Sequence, residues 1–238
     1  MGVMKTRHVL RFLYLFFSLP IHASITSKTF GLQKIFWRQG KDDTPFCYTV
    51  TSSNSLSPEQ NFLATQVWPS SRMAASFLLD KLPPLPLRRD LTICELGCGP
   101  GLPSLIAANA GVGRVIASDL ELIALELVDT AAREQNISAI ETMQIDLCGS
   151  FLPDADIYLL CDVFESGQVA KGAARLLHTS KSSHVWVFCQ SDRAQREIFL
   201  KEMRLLRDDS SLRWISIADY NPSQKICLFS FDESNVKY

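Results

Sequence analysis

The chain has 238 residues, enough for one α/β domain of ordinary size and an extension, but not for a second full domain. Hydrophobic residues make up 47% of the chain and charged residues 21%, and the formal net charge is -1. This composition is typical of a globular protein. It lacks the excess of Lys and Arg that marks nucleic-acid-binding proteins, so nucleic acid is not an expected partner.

Residues 1–44 have the composition of a targeting leader, and the folded domain is expected to span 45–238. Residues 1–41 contain no Asp or Glu but several Lys and Arg. The apolar run at 12–21 is too short to cross a bilayer but suits the h-region of a signal peptide, and a passable cleavage site ends at Ala23. The acid-free polar residues that follow are typical of an organellar transit segment.

The cysteines bear on the compartment and on metal binding. They lie mostly in apolar runs, at positions 47, 94, 98, 148, 161, 189 and 227. No C-x-x-C pair or interleaved His indicates zinc, and an odd number of thiols in predicted strands favours a reducing compartment. We therefore expect no metal, a monomer without a stable membrane span, and a plastid or mitochondrion as the final location. The alternatives are a cytoplasmic enzyme and one tethered to a membrane by the N-terminal apolar segment.

Two elements are predicted before the first buried strand. Residues 45–50 suit a short strand, and a Ser-rich loop follows. Apolar residues recur at helical spacing within 72–80, which predicts a helix capped by Ser70 or Ser71. Trp68 stands at the entry to this helix, where a lone tryptophan is usually a core residue.

A strand, a tight glycine turn and a helix are predicted over residues 92–110. The apolar residues at the start of this stretch suit a buried parallel strand. Gly97, Gly99 and Gly101 then free the backbone to turn sharply and to approach a ligand without a Cβ in the way. Pro103 fits the first turn of the helix, where a missing N–H costs nothing.

Such a glycine turn also occurs in dinucleotide-binding proteins, and it can join a strand to a helix without any ligand. The dinucleotide fingerprint places its third glycine where this chain has Leu102. An acidic residue, Glu95, lies two positions before Gly97. The spacing therefore favours the pattern E/D-x-G-x-G-x-G over the dinucleotide fingerprint.

The next predicted strand, 113–119, ends in Asp119, which lies 22 residues beyond Gly97. The carboxyl ends of neighbouring parallel strands line one crevice, so this carboxylate can accept the hydroxyl hydrogens of a ribose. Asp119 can also cap the amphipathic helix predicted at 120–135, and the two roles are compatible.

The remaining elements continue the alternation of strand and helix. Strands are predicted at 141–147, 156–162, 185–189, 212–218 and 226–231, and helices at 169–177 and 192–206. The first of these strands ends in Asp146, and a capping role for it is as good an interpretation as ligand binding. The order predicts an α/β fold, namely a Rossmann-like, doubly wound, mostly parallel seven-stranded sheet with a C-terminal antiparallel hairpin.

Three motifs together resemble class I, or seven-β-strand, S-adenosylmethionine-dependent methyltransferases over about residues 60–231. They are the Trp68-Pro69 entry, the motif from Glu95 to Gly101, and Asp162-Val163-Phe164-Glu165 after the fourth core strand. Within this class the chain is most similar to the protein-lysine methyltransferases related to the electron-transfer-flavoprotein β-subunit lysine methyltransferase. One departure is Glu165, because those enzymes usually carry a tyrosine there.

The resemblance implies S-adenosylmethionine as cofactor, with Asp146 meeting the adenine amino group and Trp68 walling the cofactor pocket. The implied cofactor-binding residues are Trp68, Glu95, Gly97, Gly99, Gly101, Asp119, Leu120, Asp146, Leu147 and Asp162.

The resemblance also implies a protein substrate that presents a lysine. Presenting a neutral amine at pH 7 costs about 4.6 kcal/mol for a group of pKa about 10.4. Asp162 and Glu165 are expected to hold and orient the ammonium, while Phe164 and Trp68 supply an apolar or cation–π wall. The alternatives are a small-molecule N- or O-methyltransferase and a non-catalytic scaffold that binds the cofactor.

The leader prediction can be checked directly on the mature protein. If the leader is removed in an organelle, mass spectrometry should place the mature N-terminus between about residues 23 and 45. An intact Met1 terminus in a cytosolic fraction would contradict this expectation.

Overall fold

A computed structural model describes residues 32–37, 47–52, 60–180, 184–217 and 226–232. The predicted h-region and cleavage site lie outside the described residues. An antiparallel pair, β1 (Leu32–Trp37) and β2 (Cys47–Ser52), forms a small sheet. Strand β1 lies within the segment predicted as leader, so the pair crosses the expected boundary at residue 45.

A seven-stranded sheet forms the centre of the domain. Its strands are β3 (Thr92–Leu96), β4 (Arg114–Asp119), β5 (Ile140–Gln144), β6 (Ile157–Cys161), β7 (His184–Gln190), β8 (Trp214–Ile217) and β9 (Ile226–Asp232). They are ordered β5-β4-β3-β6-β7-β9-β8, and β9 pairs antiparallel with both β7 and β8. The predicted parallel sheet with one reversed strand and a terminal hairpin is therefore confirmed.

Helices cover both faces of this sheet. They are α1 (Gln60–Thr65), α2 (Pro69–Lys81), α3 (Leu102–Asn109), α4 (Leu122–Glu134), α5 (Gly167–Thr179) and α6 (Gln195–Arg207). Strand β6 shows why both faces are covered. Tyr158 and Leu160 pack into the cluster beneath α5 and α6, whereas Ile157 and Leu159 pack into the cluster beneath α2 and α3. A strand that buries alternate residues on both faces is typical of a parallel sheet.

Two of the predicted helix caps are wrong. Helix α2 begins at Pro69 with Trp68 as its N-cap residue, and Ser70 and Ser71 are buried in its first turn. Helix α4 begins at Leu122 after the N-cap residue Glu121, so Asp119 does not cap it. Ser70 instead donates a hydrogen bond to Asp162, and Asp119 accepts hydrogen bonds from the Gly99 and Glu121 amides.

The cysteines are mostly buried, as their positions in apolar runs suggest. All seven are free, and only Cys148 is exposed. Within the part of the chain that the structure describes, no helix is both long and apolar enough to cross a membrane.

Candidate functional site

A cavity of about 280 Å³ opens at the carboxyl ends of β3, β4, β5 and β6. It includes the point between β3 and β6 where the strand order reverses, the usual ligand site of an open α/β sheet. Most of the predicted site residues line it, namely Trp68, Gly97, Gly99, Asp119, Leu120, Leu147, Asp162, Phe164 and Glu165. Glu95, Gly101 and Asp146 do not line it.

The glycine turn has the predicted shape for a partly different reason. Gly97 and Gly101 both have φ of +70°, a left-handed conformation that favours glycine. A Cβ at Gly97 would lie 2.6 Å from Val163 Cγ1, and one at Gly101 would lie 2.5 Å from Val128 Cγ2. At these two positions the missing Cβ makes room for a valine of the same chain, and the close approach of a ligand to the turn stays a prediction.

Asp119 is held rigidly on the cavity wall. Its Oδ2 accepts a hydrogen bond from the Gly99 amide at 2.8 Å, and its Oδ1 accepts one from the Glu121 amide at 3.0 Å. Burial raises the pKa of this carboxyl, and both backbone hydrogen bonds oppose that rise. Each carboxylate oxygen has room for a second donor, so the pair can accept the two hydroxyl hydrogens of a ribose.

Apolar side chains flank Asp119 on the side of β5. Leu120, Ile145 and Leu147 line this part of the cavity, and their surface suits a flat aromatic base. Asp146 is exposed, and its Oδ1 accepts a hydrogen bond from the Cys148 amide at 2.8 Å. The carboxylate therefore closes a local turn, and its contact with adenine stays a prediction.

Glu95 is a fully buried carboxyl that joins β3 to α3. Its Oε2 accepts hydrogen bonds from the Ser104 amide at 3.0 Å and the Ser104 hydroxyl at 2.5 Å. Burial raises the pKa of Glu95 to about 8 despite these bonds, so the group is mostly neutral at pH 7. Its Oε1 has no hydrogen-bond partner among the described residues, which costs less for a neutral carboxyl than for a charged one. In this structure Glu95 positions the glycine turn from below.

Asp162 joins three elements at one carboxylate. Its Oδ1 accepts from the Gln190 amide at 2.8 Å, and its Oδ2 accepts from Ser70 Oγ at 2.6 Å and Gln190 Nε2 at 3.0 Å. These bonds link the ends of β6 and β7 to the first turn of α2. The sequence predicted a carboxylate aimed at the acceptor, but protein donors already occupy most of its capacity.

The two residues after Val163 face different surroundings. Phe164 is buried and stacks on Phe199 with ring centroids 4.9 Å apart, and part of it reaches the cavity. Glu165 lies at the exposed rim of the cavity. Partial burial and the nearby carboxylates of Asp119 and Glu121 raise the pKa of Glu165. Glu165 is therefore the better candidate for contact with an acceptor.

Two charged lining residues were missed by the sequence analysis, Glu121 and Arg193. Each follows the end of a parallel strand, and that rule alone could have found them. The guanidinium of Arg193 lies 5.3 Å from the centroid of the Trp68 ring, whose Nε1 donates to the Leu63 carbonyl at 3.1 Å. In the described ranges no group of three or more His, Cys, Asp or Glu side chains is placed to bind a metal ion.

No family model matches the chain. It is 26% identical over 141 residues to the electron transfer flavoprotein beta subunit lysine methyltransferase of Danio rerio. The match covers 59% of this chain and 54% of that protein, so the chain spans about half the length of this relative.

Two solved structures share the architecture. One is a T. thermophilus 16S rRNA N2 G1207 methyltransferase in complex with AdoMet and guanosine, with TM-score 0.61, 13% identity, and 85% of this chain and 51% of that chain covered. The other is the magnesium protoporphyrin IX methyltransferase of Synechocystis with bound SAM, with TM-score 0.50, 17% identity, and 69% and 78% covered. The chain has the class I methyltransferase fold. In this fold the cavity lies at the point where the strand order reverses, and Asp119 lines the cavity.

The junction at Asp162 generates a stability prediction. Asp162→Asn replaces one acceptor oxygen by a donor that faces Ser70 Oγ or the Gln190 amides, so we expect a loss of about 1–3 kcal/mol in the free energy of unfolding. Urea unfolding measures it, with the exposed Asp80→Asn on α2 as control, expected to change stability by less than about 0.5 kcal/mol. Unchanged unfolding with reduced turnover would instead support the acceptor role that the sequence suggested.

Proposed function

We propose that the protein is an S-adenosylmethionine-dependent methyltransferase that methylates a lysine side chain of a protein. The observation that carries the proposal is the carboxylate of Asp119, held by the Gly99 and Glu121 amides on the wall of the switch-point cavity. The bound cofactor would supply an electrophilic methyl group on a sulfonium. The acid-free leader supports an organelle as the place of action.

The residues of the cavity fit this cofactor. Asp119 would accept hydrogen bonds from the ribose hydroxyls, and the apolar group of Leu120, Ile145 and Leu147 would receive the base. Between these residues and the end of β6, the cofactor would pass the backbone of the glycine turn. Relatives of the same fold with AdoMet or SAM in their structures support this assignment.

The charge of the cavity favours a cationic acceptor. Asp119, Glu121 and Glu165 line the cavity, and Arg193 is the single cation among its described lining residues. Such a surface attracts a lysine ammonium and repels the phosphates of a nucleic acid. The relation to a lysine methyltransferase from Danio rerio supports the same acceptor class.

Glu165 can receive the proton that the ammonium must lose. Deprotonating a lysine at pH 7 costs about 4.6 kcal/mol, and a carboxylate whose pKa is raised is a better proton acceptor than an ordinary one. Burial and two neighbouring carboxylates raise the pKa of Glu165. The buried ring of Phe164 and the ring of Trp68 line the same cavity.

Binding of the cofactor product tests the first half of the proposal. S-adenosylhomocysteine should bind the full chain, and Asp119→Ala should weaken binding by about 1.5–3 kcal/mol because it removes hydrogen bonds to a charged group. Isothermal titration calorimetry measures this, with Asp80→Ala as a carboxylate control outside the cavity. Binding of NADH in place of S-adenosylhomocysteine would overturn the assignment.

Transfer of label from S-adenosylmethionine in an organellar extract tests the acceptor. We expect a labelled protein band, and Glu165→Gln should lower the rate of labelling by about 10- to 100-fold with cofactor affinity unchanged. Glu126→Gln, an exposed change on α4, is the control.

The distribution of label separates the alternatives. Label in the small-molecule fraction would favour a small-molecule methyltransferase, and binding without any transfer would favour a non-catalytic scaffold. An unchanged rate for Glu165→Gln would remove Glu165 from the proposed chemistry.

A further inference from the structure

Arg193 is fixed at the end of the cavity beyond β6. It follows β7, and its amide donates to the Gln190 carbonyl at 3.1 Å, which closes a turn. Its guanidinium lies over the Trp68 ring at 5.3 Å, and the hydrogen bond from Trp68 Nε1 to the Leu63 carbonyl holds that ring. The side chain therefore rests on a rigid aromatic face instead of extending into solvent.

The donors of this guanidinium are available to a ligand. Among the described residues, no carboxylate lies within ion-pair distance of Arg193, and no hydrogen bond uses its side chain. With no protein partner among the described residues for its N–H groups, the guanidinium can offer them to a ligand, and their planar arrangement matches a carboxylate. Arg193 is thus prepared to bind an anion at this end of the cavity.

The rest of the cavity leaves an anion no other cationic partner. Four carboxylates lie among its described lining residues, on Asp119, Glu121, Asp162 and Glu165. An anion that enters this surface is repelled by each of them and needs a positive charge to remain. Arg193 is the only side chain of the described lining that carries one.

The order of the strands gives the direction of the ligand. With the base beside β5 and the ribose at Asp119 on β4, the remaining end of the cofactor would run over β3 toward β6 and β7. That end is an amino acid, which carries a carboxylate. We infer that Arg193 binds a carboxylate presented into the cavity, and that the amino-acid end of the cofactor supplies it. This inference rests on the proposed function.

Removing the carboxylate from the ligand tests the inference without turnover. Calorimetry compares S-adenosylhomocysteine with its decarboxylated analogue on the full chain, on Arg193→Ala, on Arg193→Lys, and on the exposed control Arg133→Ala. Arg193→Ala should weaken S-adenosylhomocysteine by about 10- to 100-fold, the range for hydrogen bonds to a charged group, and leave the analogue unchanged. The affinity of Arg193→Lys for S-adenosylhomocysteine should lie between those of the wild type and Arg193→Ala, since lysine keeps the charge but loses the planar pair of N–H donors. Circular dichroism confirms that the variants fold.

Other outcomes of this comparison would contradict the inference or the proposed function. An equal loss for both ligands would show that Arg193 only supports Trp68, and this would overturn the inference. So would unchanged affinity for both, unless the variant raises the KM of lysine peptides with a neighbouring acid and not of neutral ones. In that case the acceptor supplies the carboxylate, and the assignment of Arg193 to the cofactor's carboxylate is wrong. If the wild-type chain binds neither ligand, the proposed function itself fails.

Discussion

The carboxylate of Asp162 is the junction from which the far side of the cavity takes its geometry. It ties the ends of β6 and β7 to α2 through Gln190 and Ser70. Residues Phe164 and Glu165 continue from it, and Trp68 precedes the helix that it anchors. A carboxylate held by three donors in a partly buried place loses much if any donor is removed, so the arrangement is rigid.

Three carboxyl groups around the glycine turn show how the environment separates similar side chains. Glu95 is fully buried and mostly neutral at pH 7, and it holds the turn from beneath. Asp119 is fixed by two amides and faces the cavity with oxygens that can still accept. Glu165 lies at the rim, where partial burial and neighbouring carboxylates raise its pKa. A sequence motif that contains an acid thus does not say whether the acid binds, positions or reacts.

The residues that suit the cofactor and those that suit the acceptor lie in different parts of the molecule. Features that suit the base and ribose of the cofactor lie on the loops after β3, β4 and β5, whereas Phe164 and Glu165 follow β6 on the other side of the switch point. Solved structures of the same fold include an rRNA methyltransferase and a protoporphyrin methyltransferase. The same architecture therefore serves different acceptors, and evidence for the acceptor must come from the second group of residues.

The amino-acid sequence by itself determined the alternation of elements, the reversed strand near the C-terminus, the glycine turn and Asp119 on the cavity wall. These follow from hydrophobic periodicity, from glycine spacing, and from the rule that parallel strands end along one edge. Only the tertiary structure decided that Asp162 bonds Ser70 and Gln190, that Val163 fills the space beside Gly97, and that the Arg193 guanidinium lies over the Trp68 ring. The partners in these contacts are separated by tens of residues, and Ser70 and Asp162 by 92. No local sequence pattern encodes such a pair, because the direction of a side chain at a cavity depends on which residues of other elements face it in the completed fold.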